Sequence, residues 1–284
     1  DVALPTYQLL SGDIDRDGDL DLVAIHDAVP ARAYFDDGAG NFTLAYVIEG
    51  TGGNARGGAL ADIDFDGIED LVIARRGDPD LLLRGRPDGT FAPPSEIGPP
   101  DSNSIRVTAA DVDGDKDYDL LFARRDGQPS VVARNDGTGK FVEMPLPAGL
   151  GASRQLIAAD LDTDGIAELV SCSLDAANTI LRRVGDRYEV AGQFGAPDDG
   201  CYAIDAADFN RDGMLDLVVG NSEKPNYLYL QRDDATFDRI VVDEEPHDSY
   251  GLAVGDIDGD GIPDVVFANS QAFNAAFLVR EPRR

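Results

Sequence analysis

The chain is 284 residues long, with 54 acidic and 24 basic side chains and a formal net charge of −30. At 43% hydrophobic it can bury a core, which excludes acid-rich disorder, and no apolar run of about 18 residues marks a membrane-crossing helix. So acidic a chain excludes nucleic acid, general adhesion to anionic lipid and membrane insertion as its mode of action, because phosphate-rich partners need a basic face.

The chain opens on Asp1 with neither Met nor an apolar leader and reads as a processed or trimmed form. The first pattern met along it is Asp13-Ile-Asp-Arg-Asp-Gly-Asp-Leu-Asp21, of the form D-x-D-x-D-G-x-x-D. It returns at Asp62, Asp111, Asp160, Asp208 and Asp256, at spacings of 49, 49, 49, 48 and 48 residues. The six windows hold 26 of the 54 acids and only three bases, Arg16, Lys116 and Arg211. The acidity is therefore a set of sites.

Each window lies between two short apolar runs. Ahead of it come stretches such as Gly57-Gly-Ala-Leu-Ala, Val107-Thr-Ala-Ala, Leu156-Ile-Ala-Ala and Leu252-Ala-Val-Gly. Behind it come Leu22-Val-Ala-Ile, Leu71-Val-Ile-Ala, Leu120-Leu-Phe-Ala, Leu169-Val-Ser-Cys, Leu217-Val-Val-Gly and Val265-Val-Phe-Ala. A third run follows, as in Leu81-Leu-Leu, Val131-Val-Ala and Tyr227-Leu-Tyr-Leu. A Gly/Asp turn then leads to an aromatic that opens a fourth: Phe42, Phe91, Phe141, Tyr188 or Phe237. Runs this short, bounded by turn residues and lacking a 3.6-residue stripe, predict buried strands. Four such strands per repeat is the signature of propeller blades. The expected fold is an all-β, six-bladed β-propeller of four-stranded antiparallel sheets, one domain over residues 1–284 with six repeats of about 48–49 residues.

The acidic windows read as metal loops. Carboxylates at positions 1, 3 and 5 point into one concavity, Gly at position 6 permits the sharp turn, and the carboxylate at position 9 closes the cage. Hard oxygen donors in this number select calcium over zinc or copper, and magnesium prefers to keep its waters. The candidate ligands are Asp13, Asp15, Asp17 and Asp21; Asp62, Asp64, Asp66 and Asp70; Asp111, Asp113, Asp115 and Asp119; Asp160, Asp162, Asp164 and Glu168; Asp208, Asn210, Asp212 and Asp216; and Asp256, Asp258, Asp260 and Asp264. Up to six calcium ions are expected. An EF-hand is excluded because position 12 is Ala24 in the first loop and Ile73 in the second. Occupancy is expected to be weakest in the third loop, where Lys116 replaces Gly, or in the fifth, which has Asn210 at position 3.

Asp13-Ile-Asp-Arg-Asp-Gly-Asp-Leu-Asp-Leu-Val and its five copies resemble the FG-GAP/VCBS repeats of integrin-alpha-like β-propellers. Asn135-Asp-Gly-Thr-Gly-Lys-Phe141 and Asp36-Asp-Gly-Ala-Gly-Asn-Phe42 match that family's turn before the fourth strand. The resemblance covers essentially the whole chain and implies fold and calcium. Its functions are diverse, spanning adhesion proteins, lectins and polysaccharide lyases. The family is commonly seven-bladed, so an incomplete seven-bladed ring is the alternative to six blades, with Val2–Leu4 expected to supply a short closing strand for blade six.

In this blade geometry binding falls to the face opposite the calcium loops. Six residues before each loop stand Tyr7, Arg56, Ile105, Arg154, Tyr202 and Tyr250, and at the ends of the second strands His26, Arg75, Arg124, Ser173, Asn221 and Asn269. Arg76, Arg106, Arg125 and His247 lie beside them. The candidate ligand-binding set is Tyr7, Arg56, Arg75, Arg106, Arg124, Arg154, Tyr202 and Tyr250. Arginine forks recognise carboxylate or sulfate, so an anionic glycan is one expected partner and an extracellular protein another. The bland reading makes these rim residues whose arginines pair with Asp78, Asp80 or Asp126.

The enzymatic alternative is a polysaccharide lyase acting on a uronate-containing glycan, with Tyr202, Tyr250 or His247 as base and Arg154 as the neutralising cation. Arg76-Gly77-Asp78 and Phe194-Gly-Ala-Pro197 are single copies with little weight. Cys172 and Cys201 fall at different heights by register and are expected to be free, buried small residues. The expected location is extracellular, at the cell surface or periplasmic, where calcium is plentiful.

Overall fold

The computed structural model describes residues 4–233, 235–270 and 272–280. Among them every regular element is a strand. The chain divides into two compact units, Asp1–Leu146 and Pro147–Arg284.

The first unit holds three antiparallel sheets, each built from consecutive strands. They are β1 (Thr6–Gly12), β2 (Asp21–His26), β3 (Arg32–Phe35) and β4 (Thr43–Val47); β5 (Ala55–Ala61), β6 (Asp70–Arg75), β7 (Asp80–Leu83) and β8 (Ser95–Ile97); and β9 (Ser104–Ala110), β10 (Asp119–Arg124), β11 (Val131–Arg134) and β12 (Val142–Pro145). The second unit opens with a fourth such sheet: β13 (Ser153–Ala159), β14 (Glu168–Ser173), β15 (Asn178–Val184) and β16 (Arg187–Phe194). The meander of four is the blade unit of the propeller class. Each of these blades has its acidic loop between its first and second strands, as the spacing predicts.

The fifth and sixth repeats depart from that pattern. β17 (Cys201–Ala207), β18 (Asp216–Asn221), β19 (Lys224–Gln231), β20 (Phe237–Gly255), β21 (Asp264–Ser270) and β22 (Ala275–Phe277) form one six-stranded sheet. β20 runs for 19 residues; Phe237–Asp243 pair with β19, and Asp248–Gly255 pair with β21. It is the outer strand of the fifth repeat and the inner strand of the sixth. Among the described residues the sixth repeat shows three strands where four were expected, with no outer strand after β22. The fusion of the two repeats through β20 has a local cause. Other inter-repeat connections carry glycines at positive φ, such as Gly50, Gly53, Gly195 and Gly200, whereas Asp243-Glu-Glu-Pro-His-Asp248 has none and runs on extended. Val2 and Ala3, expected to add a closing strand, lie outside the described residues; Leu4 is described and is not in a strand.

The second strands read as continuous apolar runs because both of their faces are buried. In β6, Leu71 and Ile73 pack with Val23, Ile25, Leu81 and Leu83, while Val72 and Ala74 turn the other way to Val107, Leu120 and Phe122. In the second unit, Leu217 and Val219 of β18 join Ile157, Val170 and Ile204, and Val218 faces Val265 and Phe267. Successive sheets of a unit are thereby held through alternate side chains of one strand.

The turn between second and third strands is stapled by a side chain at the start of the third. The amide of Arg75 donates to Asp80 (2.8 Å), Ser173 to Asn178 (3.1 Å), Asn221 to Asn226 (2.9 Å) and Asn269 to Asn274 (3.0 Å). Asp80 is fully buried and also accepts from the hydroxyls of Ser102 and Ser104, each at 2.9 Å, with the Arg124 guanidinium 3.9 Å away.

Cys172 and Cys201 are disulfide-bonded, with Cα atoms 5.4 Å apart, which corrects the expectation of free thiols. Cys201 sits at the level of Asn221 and Cys172 at that of Gln155, one residue lower. A register shift between Cys201 and Ala203 accompanies this placement, and the Cα separation falls within bridging reach.

Two stability predictions follow from these contacts. Replacing both cysteines by serine is expected to cost about 2–4 kcal/mol in urea unfolding, because the bridge closes a long loop in the unfolded chain. Burial pushes Asp80 up to about 6, against the opposing pull of its amide, hydroxyl and Arg124 contacts. The folded state then binds this proton more tightly than the unfolded state, so Asp80 erodes stability as pH rises from about 4 to about 6. Asp80→Asn, which installs the residue three other blades use, is expected to flatten that decline. Paired urea titrations of both proteins across this range measure the difference, at most about 3 kcal/mol.

Candidate functional site

Each acidic loop is organised by its own backbone. The position-1 carboxylate accepts the amides of positions 5 and 6, as at Asp62 (from Asp66 at 3.1 Å and Gly67 at 2.9 Å) and at Asp256 (from Asp260 at 3.1 Å and Gly261 at 2.9 Å). The position-5 carboxylate accepts the amide of position 7, as Asp66 does from Ile68 at 2.9 Å and Asp164 from Ile166 at 2.8 Å. Positions 4 and 6 both take positive φ in all six loops. Position 6 lies at 78–98°, and there Lys116 (φ 78°) holds a conformation that its glycine counterparts adopt without cost.

The position-9 carboxylate occupies a different environment from the other three. Asp21, Asp70, Asp119, Glu168, Asp216 and Asp264 are all buried, at 4% exposure or less. Each accepts the amide of position 2: Ile14 to Asp21 at 3.0 Å, Phe209 to Asp216 at 3.0 Å, Ile257 to Asp264 at 2.9 Å. Five of them also accept an amide at or just past the end of the third strand, from Asp36, Gly85, Asn135, Gln231 or Val279. Burial is the main force pushing Asp119 and Asp216 up to about 6, and neighbouring loop carboxylates push the same way.

Carboxylate oxygens of positions 1, 3 and 5 lie within 4.8 Å of one another in the first, second, third and sixth loops; in the fourth the cluster is Asp160, Asp162 and Glu168. The all-oxygen donor set fits a hard divalent cation. One observation supports that fit directly: Oδ1 of Asp64 is buried and has no hydrogen-bond partner. The fifth loop has Asn210 in place of the position-3 carboxylate, and Asn210 donates to Asp212 at 2.9 Å.

Arginines that sequence reasoning did not single out reach these loops. Arg84 Nη1 lies 2.5 Å from Asp70 and 3.3 Å from Asp64. Arg134 pairs with Asp113, Arg182 Nη2 lies 2.5 Å from Asp162, and Arg280 lies 3.4 Å from Asp258. The signal was available in the repeat register, since Arg84, Arg134 and Arg182 stand 22 or 23 residues after their loops begin.

The predicted ligand-binding residues fall into separate groups. In the first unit the Arg56 guanidinium lies over the Tyr7 ring at 4.6 Å and pairs with Asp27 at 2.7 Å. Arg75 donates to the Pro79 carbonyl. Arg124 is buried with its fork on Glu143 at 2.5 and 3.1 Å, so that side chain serves the blade interior. Arg106 is half-buried, and desolvation lowers it to about 10. In the second unit Arg154, Tyr202 and Tyr250 come together. Arg154 lies over the Tyr202 ring at 4.4 Å, its Nη2 donates to the Tyr202 hydroxyl at 3.2 Å, and Tyr202 meets Tyr250 edge-on with centroids 4.4 Å apart. Burial and then Tyr202 push the Tyr250 phenol up, which makes it a weaker acid. His247 stands beside Glu245 at 3.8 Å and pairs in register with Lys224. Gln8 and Gln155, each five residues before a loop, accept the amides of Gly58 (3.0 Å) and Ile204 (3.2 Å) on the next blade of the same unit, which only the repeat offset signals.

Comparison with known proteins places the fold and the repeats. The human cartilage acidic protein 1 is 25% identical over 209 residues, 63% of this chain, and the chain spans 30% of that protein's length. Among solved structures, an Agrocybe aegerita lectin described for specific recognition of non-reducing terminal N-acetylglucosamine superposes with a TM-score of 0.63. It is 20% identical, and the match covers 96% of this chain and 80% of the lectin. The V. cholerae biofilm matrix protein Bap1 gives a TM-score of 0.55 at 16% identity, over 89% of this chain and 42% of that one. An FG-GAP-like repeat model matches residues 13–73, 62–122, 111–171, 160–219 and 208–267, so five overlapping matches span every acidic loop. The chain belongs to the FG-GAP-like repeat family.

Proposed function

We propose that this chain is a calcium-stabilised recognition module that works outside the reducing cytoplasm and binds a glycan or an extracellular protein. The carrying observation is the Arg154–Tyr202–Tyr250 group. An arginine stacked on one ring that meets a second edge-on offers an aromatic wall and a cation to the same ligand. Such a pair of chemistries suits a sugar ring bearing a carboxylate or sulfate. Tyr7 and Arg56 repeat the stacked pair in the first unit, and Arg75 and Arg106 add positive charge to the expected face.

Calcium in this reading is structural. Positions 1, 3 and 5 would hold it in the first, second, third and sixth loops, and Asp160, Asp162 and Glu168 in the fourth, with position 9 also fixing the backbone of its loop. The third and fifth loops remain the expected weak sites, through the strained Lys116 and the neutral Asn210. The disulfide suits an oxidising compartment. The lectin and matrix-protein neighbours support recognition as the type of work, although their likeness to this chain is one of fold.

The test is a glycan array, including sulfated and uronate-containing chains, run with wild type and with Arg154→Ala and Tyr202→Ala. Retained signal for an anionic glycan in wild type, lost at least tenfold in both variants, supports the reading. Binding untouched by either substitution would contradict it. Ultraviolet absorbance of the incubated uronate polymers reads the alternative activity: unsaturated product that depends on Arg154 and Tyr250 would make the protein a lyase.

A further inference from the structure

We propose that the third-strand arginines Arg84, Arg134 and Arg182 are built-in counter-ions that lower the calcium affinity of the second, third and fourth loops and keep those loops folded when calcium is scarce. The inference rests on the calcium reading of the loops. The geometry recurs. Each of these arginines lies near the end of its third strand and meets the position-3 aspartate of its own loop: Arg84 with Asp64 at 3.3 Å, Arg134 with Asp113, Arg182 with Asp162 at 2.5 Å. Two of them also bind the buried position-9 carboxylate, Arg84 at 2.5 Å from Asp70 and Arg182 Nε at 3.2 Å from Glu168. Arg84 is further held by the Thr138 carbonyl at 3.2 Å, in space left open by the missing side chain of Gly139.

A cation bound in any of these three carboxylate clusters would sit a few ångströms from a guanidinium already fixed on position 3. Like charges at that range repel by an amount worth roughly tenfold in affinity per loop when solvent screens them. With no ion present the sign reverses, because the same guanidinium relieves the repulsion among four carboxylates. The first loop provides the internal control. Phe35 stands 22 residues after Asp13, packed edge-on against Tyr46 at 6.2 Å, and among the described residues no arginine meets Asp13, Asp15, Asp17 or Asp21. That loop is therefore the tightest site.

The experiment is calcium titration by calorimetry, paired with urea unfolding in chelator, on three proteins: wild type, Arg84→Gln/Arg134→Gln/Arg182→Gln, and Phe35→Arg. The triple variant is expected to gain about tenfold in calcium affinity at three sites while losing stability in chelator. Phe35→Arg is expected to weaken the tightest site about tenfold, and it keeps the proposal testable where the triple variant does not fold without calcium. Unchanged or weakened calcium binding in the triple variant, at normal stoichiometry, overturns the counter-ion role and leaves the calcium reading standing. Absence of calcium uptake by wild type overturns both.

Discussion

Every repeat turns on one carboxylate placed where a charge is expensive. At the first residue of the second strand Asp21, Asp70, Asp119, Glu168, Asp216 and Asp264 are withdrawn from water, yet each is surrounded by donors. Asp21 accepts the amides of Ile14, Asp15 and Asp36, and so joins the acidic loop, the second strand and the turn after the third strand in one contact set. A buried carboxylate is tolerated only when such donors replace its hydration, and losing one partner strands the others. That constraint explains why the ninth position is acidic in all six repeats while the fourth and seventh vary in size and charge.

The same anchor separates fold from ion. With the loop backbone fixed by the ninth carboxylate and by amides on the first and fifth, the remaining oxygens are held in a cluster before any cation arrives. Asp64 shows the consequence, with one oxygen near Arg84 and the other buried without a partner. Preorganisation of this kind concentrates negative charge, and the protein answers it with arginines on the neighbouring strand. In the proposed reading, recognition falls to a different part of the blades, where Arg56 stacks on Tyr7 and Arg154 on Tyr202. The rigid part of the repeat and its variable part lie at different levels of the same strands.

Much of this was legible because the repeat is a ruler. The 48–49-residue period located all six loops and the apolar second strands. Phe42, Phe91, Phe141, Tyr188 and Phe237 marked the approach to each fourth strand, though only Tyr188 and Phe237 fall within one. What the ruler measures poorly is anything that breaks it. The glycine-free segment Asp243–Asp248 let β20 run through two repeats, and a one-residue register shift beside Cys201 accompanied the bridge to Cys172. The division of labour within the loop was also hidden. By spacing, the carboxylates of positions 1, 3 and 5 read as ligands with the ninth closing the cage. That burial and amide contacts give the ninth its own environment was not legible, because burial is a property of the packed sheets that no spacing encodes. Arg124 illustrates the same limit on the other side: its position matched the recognition ring, while Glu143, a residue of the outer strand, drew its fork into the blade.

The most direct measurement of the central claim is urea unfolding of Asp21→Asn and wild type in excess chelator, with calcium absent from both. If the ninth carboxylate anchors the loop by itself, the variant loses about 2–4 kcal/mol, since asparagine directs an amide group at backbone donors in a buried site. Equal stability of the two proteins in chelator, with a difference appearing only when calcium is added, would show that the residue matters solely as a metal ligand and would contradict the account.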